Sequence, residues 1–89
     1  MLVNKEQLRA ARAWLGLSQQ ELATIAKVHK RTIANIEGGE TSPHEVTLQA
    51  VVQALMAMGI EFQFEGSVGV GVRATRNVSD YRPNGDVKL

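Results

Sequence analysis

Apolar residues recur at a helical period through the first two thirds of the chain and at a strand period after that. Leu8, Ala11 and Leu15 are spaced three and four apart, which predicts an amphipathic helix from about Lys5 to Trp14, with Asn4 as its cap and Gly16 as its stop. Ser18 and Glu21 make a Ser-x-x-Glu capping box, so a second helix opens there and turns Leu22, Ala23, Ile25 and Ala26 inward. A third helix begins near His29 or Lys30 and points Ile33 and Ile36 to the core. It stops at Gly38-Gly39, where left-handed backbone costs little. With only about two turns, it must be held by its neighbours. Ser42-Pro43-His44-Glu45 is a second capping box with proline at the first helical position. It predicts a fourth helix from Pro43 to about Met58, closed by Gly59. The stripe of Val46, Leu48, Val51, Val52, Leu55 and Met56 is broad enough to close the core and still offer a patch to a partner.

Beyond Gly59, Ile60, Phe62 and Phe64 alternate with Glu61, Gln63 and Glu65. After Gly66-Ser67, Val68, Val70 and Val72 alternate with Gly69, Gly71 and Arg73. Two alternating runs joined by a two-residue turn predict a β-hairpin with one buried face. Residues 74–89 are polar and read as a tail. The chain therefore divides into a helical domain over residues 1–59, a hairpin over 60–73 and a tail over 74–89.

Eighty-nine residues support one small core, and the absence of cysteine removes both a disulfide staple and a thiolate metal site. Stability must come from apolar packing and, by expectation, from a second copy of the chain. The N-terminus has no apolar run of the signal-peptide kind, and no apolar stretch approaches the ~20 residues that span a bilayer, so a cytoplasmic protein with no membrane contact is expected. The net charge of +1 hides a local cluster, Lys27, Lys30 and Arg31, with no acid among them.

The second and third helices lie only a few residues apart, which is the spacing of a helix-turn-helix. The third carries Lys30, Arg31, Thr32 and Asn35 on the side that Ile33 and Ile36 leave free. These side chains suit phosphates and base edges. The free N–H groups at Ser18-Gln19-Gln20 make the start of the second helix an anion site. The bland alternative for the cations is a solvated face. Enzymatic readings fare poorly: Gly66–Gly71 neither follows the dinucleotide-binding order nor leads into a helix, and His29 and His44 lack partners at metal-ligand spacing. Ser18 and Ser42 are already accounted for as caps. No catalytic residue, metal or cofactor is predicted.

Leu15-Gly16-Leu17-Ser18-Gln19-Gln20-Glu21-Leu22-Ala23, Val28, Thr32-Ile33, Ile36-Glu37, Gly39 and Pro43 resemble, in order and spacing, the phage-repressor (Cro-type, XRE) helix-turn-helix family over about residues 5–58. The resemblance implies a mainly α fold, a four- to five-helix lambda-repressor-like bundle followed here by the C-terminal hairpin. It also implies dimeric binding to double-stranded operator DNA with the third helix in the major groove. Carried over by position, Gln19 touches a phosphate, Lys30, Arg31 and Asn35 face bases or flanking phosphates, and Thr32 is divided between packing and a phosphate. Arg12 pairs with Glu37 in a structural ion pair. This chain departs from the pattern in three places. Lys27 stands where the turn usually has glycine and so has to adopt positive φ. His29 replaces a serine-like cap, and the hairpin and tail lie outside the shared region.

Two functions follow. In the first, the chain is a stand-alone transcriptional regulator, a repressor acting as a homodimer. In the second, it is chiefly an interaction module, an antitoxin whose hairpin and tail wrap a toxin partner while the bundle binds DNA for autoregulation. The apolar residues of the hairpin exceed what a small bundle needs, which favours dimerisation through the strands, the fourth helix or both. The alternative is that the hairpin folds back on its own domain, with Trp14 beneath it.

Overall fold

Asn4 and Ser18 open the first two helices by the same reciprocal device. In the computed structural model, which describes residues 2–39 and 45–75, the Asn4 side chain accepts from the Gln7 amide (2.8 Å) while Gln7 Oε1 accepts from the Asn4 amide (3.0 Å). Ser18 and Glu21 repeat the exchange at 2.9 and 2.7 Å. Helix α1 (Lys5–Leu15) ends one residue beyond the sequence estimate, with Gly16 in the left-handed region. Helix α2 (Gln19–Ala26) ends on Lys27, whose φ of 63° makes it the one described non-glycine residue at positive φ. Helix α3 (Lys30–Gly38) keeps Gly38 as its last helical residue and caps on Gly39. Helix α4 spans Glu45–Ala57; the capping box at Ser42-Pro43-His44 lies outside the described residues, as does most of the tail.

Leu8, Leu15, Leu22, Ile33, Val51 and Leu55 are fully buried, so every helix contributes to one core. Ile25 does not join it. Leu22, Ala23 and Ala26 define the buried arc of α2, and Ile25, turned about 100° from Ala26 on a helix, is half exposed. On α4 the same geometry buries Leu48, Val51 and Leu55 and leaves Val46 and Met56 outside.

Strands β1 (Ile60–Glu65) and β2 (Val68–Ala74) form an antiparallel hairpin whose turn, Gly66-Ser67, uses the left-handed conformation at Gly66. Its base is closed where the Thr75 amide donates to the Gly59 carbonyl (2.7 Å). Ile60 faces Ala74 and Phe62 faces Val72, and all four side chains pack toward the helices. Between Gln63 and Phe64 the register slips: Gln63 pairs with Gly71 and Phe64 with Gly69, so Val70 has no partner. This bulge reverses the alternation of β2. The three valines therefore do not share a face as simple alternation predicts: Val72 points in, whereas Val68 and Val70 are exposed.

The hairpin is fastened to α1 by amides. Gln7, itself buried, donates from Nε2 to the carbonyls of Gln63 (2.8 Å) and Gly71 (3.0 Å), the paired residues at the bulge, and Asn4 Nδ2 donates to the Gly69 carbonyl (3.1 Å). The hairpin thus folds back on its own domain, at the N-terminal end of α1. Trp14 sits near the other end of that helix and is 53 % exposed.

Candidate nucleic-acid interface

Helices α2 and α3 are joined by Lys27, Val28 and His29 alone. The Lys27 amide donates to Thr24 and the Val28 amide to Ala23, which ends α2 tightly, while Val28 packs against the core and sets where α3 begins. His29 is the N-cap of α3, exposed, with no side-chain hydrogen bond to the helix. Ile33 and Ile36 hold α3 to the core. Lys30 and Arg31 project into solvent, and Thr32 and Asn35 are half buried.

This helix start breaks local rules. The positive end of a helix dipole favours acids and a capping oxygen, each worth a few tenths to about 1 kcal/mol. Here the first turn holds two cations and no acid, the cap makes no side-chain bond, and no acid occurs between Glu21 and Glu37. An arrangement that forgoes stability at an exposed helix start concentrates positive potential there, and it is suited to receiving an anion.

At the other end of α3, Glu37 is buried, 4 % exposed, and meets Arg12 of α1 in a two-pronged pair: Arg12 Nε to Glu37 Oε2 at 2.7 Å and Nη2 to Oε1 at 2.9 Å. Arg12 Nη1 also donates to the Leu17 carbonyl (2.9 Å), just before α2. Burial pushes the Glu37 carboxyl upward, but hydrogen bonds from Arg12 and Gln19 and the charges of Arg12 and Arg9 outweigh it and hold the carboxyl below its ordinary value. The bond to Glu37 correspondingly raises Arg12, against its own partial burial.

Two participants have no marker in the sequence. Arg9 donates to the Glu37 backbone carbonyl, placing a cation on the negative end of α3. Gln19, at the first position of α2, donates from Nε2 to Glu37 Oε1 (3.1 Å). The latter bond ties a residue assigned to the phosphate backbone to one assigned to structure. Gln7 could have been found, because Asn4-x-x-Gln7 follows the capping-box pattern.

Two short helices on a three-residue turn, the second held by apolar residues on one side and carrying cations and amides on the other, define a helix-turn-helix DNA-binding domain. The family model described as Helix-turn-helix matches residues 8–55, from the first buried leucine of α1 to the last of α4. The chain belongs to that family, in its XRE kind, and is a DNA-binding transcriptional regulator. No curated protein matches the chain. The hairpin lies beyond the matched region. Among the described residues, no helix is long and apolar enough to cross a membrane.

Proposed function

We propose that the protein is a sequence-specific repressor that binds a near-palindromic operator as a homodimer, with α3 in the major groove of each half-site. The observation that carries this reading is the start of α3, where Lys30 and Arg31 stand exposed beside an uncapped, acid-free helix N-terminus. Arg31 and Lys30 donate to guanine O6 and N7, and Asn35 pairs with adenine, each good contact discriminating by about 1–3 kcal/mol. Thr32 packs its methyl group or bonds a phosphate. Gln19 and the free amides at the start of α2 bind a backbone phosphate and fix the register without reading sequence. The exposed Val68 and Val70 of the hairpin support dimerisation through its outer face. Arg12 and Glu37 hold α1 and α3 in the geometry that presents the reading side chains.

The test is selection of sites from a random DNA pool with the purified chain, followed by titration of the winner against salt with the mass of the complex recorded. A near-palindrome bound by two chains, with half-sites about one helical turn apart and affinity falling steeply with salt, is expected. Arg31→Ala and Asn35→Ala then weaken binding to that operator far more than to random DNA, whereas Gln19→Ala weakens both about equally. Unchanged operator affinity in the α3 variants would remove α3 as the reader. Failure to enrich any sequence would favour a partner-binding module over a repressor.

A further inference from the structure

Gln19 occupies the first position of α2, and one hydrogen of its side-chain amide goes to Glu37 Oε1. A primary amide has two such hydrogens, so the second is left for a ligand at the same helix start. Glu37 is itself immobilised: Arg12 grips both its oxygens and is anchored in turn to the carbonyl of Leu17. The bonds run from Leu17 through Arg12 and Glu37 to Gln19, returning to the chain two residues from where they began. A pair whose only work was to fasten α1 to α3 would have no need of Gln19. We propose that Glu37 is a positioning residue for the phosphate contact of α2, holding the Gln19 amide in its DNA-binding orientation before DNA arrives, with Arg12 acting behind it. This rests on the reading above that the start of α2 meets the DNA backbone.

The chemistry is consistent in two respects. A free glutamine side chain loses its rotamer freedom when it binds a phosphate, whereas one already ordered does not lose it again. A carboxylate beside a DNA backbone would ordinarily repel it, but Glu37 is matched by Arg12, with Arg9 close enough to add its charge. The cluster of Arg9, Arg12 and Glu37 therefore presents a net positive charge to the phosphate.

The test is a double-mutant cycle read by binding to a short random-sequence duplex, since phosphate contacts do not depend on sequence. The four chains are wild type, Gln19→Ala, Glu37→Met and the double variant, each measured well below its melting temperature. Glu37→Met keeps the length of the side chain but has no oxygen to accept from Arg12 or Gln19, so the Gln19 amide is released. Gln19→Ala is expected to cost up to about tenfold in affinity in the wild-type background, the scale of one hydrogen bond to a charged group. In the Glu37→Met background it should cost less than about a third of that. The cation freed on Arg12 is present in both chains of that background and so cancels within it. Equal losses in the two backgrounds would overturn the proposal.

If Glu37→Met does not fold, the wild-type chain supplies the answer by NMR. The side-chain amide protons of Gln19 in the DNA-free protein should shift as Glu37 is protonated in acid, and by more than those of Gln20, which bonds Thr24 instead. Gln19 signals that ignore that titration would overturn the proposal equally. A chain that binds DNA, weakens with Arg31→Ala and shows no coupling would sink the positioning role alone. A chain that binds no DNA would sink both readings.

Discussion

Replacing Gly69 with alanine tests how the hairpin is held. A Cβ built on Gly69 lies 2.1 Å from Gln7 Oε1, 2.5 Å from its Cδ and 2.9 Å from Asn4 Nδ2. Gln7 has nowhere to retreat, because it is buried and its amide spans the Gln63 and Gly71 carbonyls while its oxygen accepts from the Asn4 amide. Accommodating the methyl group means displacing Gln7, with the loss of three hydrogen bonds, and disturbing the Asn4 bond to Gly69. At about 1 kcal/mol net for each bond, less up to about 1 kcal/mol from stiffening the unfolded chain, Gly69→Ala should destabilise by about 2–3 kcal/mol. For a domain of this size that is a fall of about 10–20 °C in Tm, measurable by circular dichroism. Gly71 is the internal control: a Cβ there approaches only Gln63 Oε1, at an ordinary 3.6 Å, so Gly71→Ala should leave Tm unchanged or raise it slightly. In a Gln7→Ala background the obstruction is gone, and Gly69→Ala should cost less than about 1 kcal/mol. Equal effects of the two glycine substitutions, or full additivity with Gln7→Ala, would refute the amide fastening.

Lys27 holds a left-handed conformation that disfavours side chains, so Lys27→Gly should raise stability by about 0.5–1 kcal/mol, seen as a few degrees in Tm. Glu37 has its carboxyl depressed in the folded state, so its contribution is present above about pH 4.5, the unperturbed value, and is lost as pH falls through the folded-state value. Breaking a fully buried pair costs about 3–5 kcal/mol. Arg12 is 23 % exposed, so Glu37→Gln should cost about 2 kcal/mol at neutral pH. Urea titrations at neutral pH and near pH 3 should show the gap between wild type and Glu37→Gln closing in acid; a gap independent of pH would mean the pair does not act through charge. The raised Arg12 adds nothing to this acid window, because its own loss falls at alkaline extremes.

The sequence by itself determined what depends on neighbours within about four positions. The caps at Asn4 and Ser18, the stop at Gly16, the buried faces of α1 and α3 and the turn at Gly66-Ser67 all follow from spacing and side-chain type, whereas the left-handed Lys27 was legible only through the family resemblance. The exposed cations of α3 were legible for the same reason, since Ile33 and Ile36 dictate which side faces out. Arg12 and Glu37 were paired only through a family resemblance, because local spacing does not link residues 25 positions apart. What tertiary structure alone decided is where local preference leaves a choice open. Ile25 could have faced in, but Leu22, Ala23 and Ala26 already fill that arc. Val68 and Val70 could have joined Val72, but a bulge reversed the strand's phase, and nothing in an alternating pattern announces which pair will slip. In sequence Gln7 reads at most as a capping-box residue and Gln19 as a phosphate contact, and neither betrays its long-range partner. Only packing brings one amide to the carbonyls of a hairpin more than fifty residues away and the other to a carboxylate on a different helix, because the nearest partner for a buried polar group is set by the fold and not by the chain.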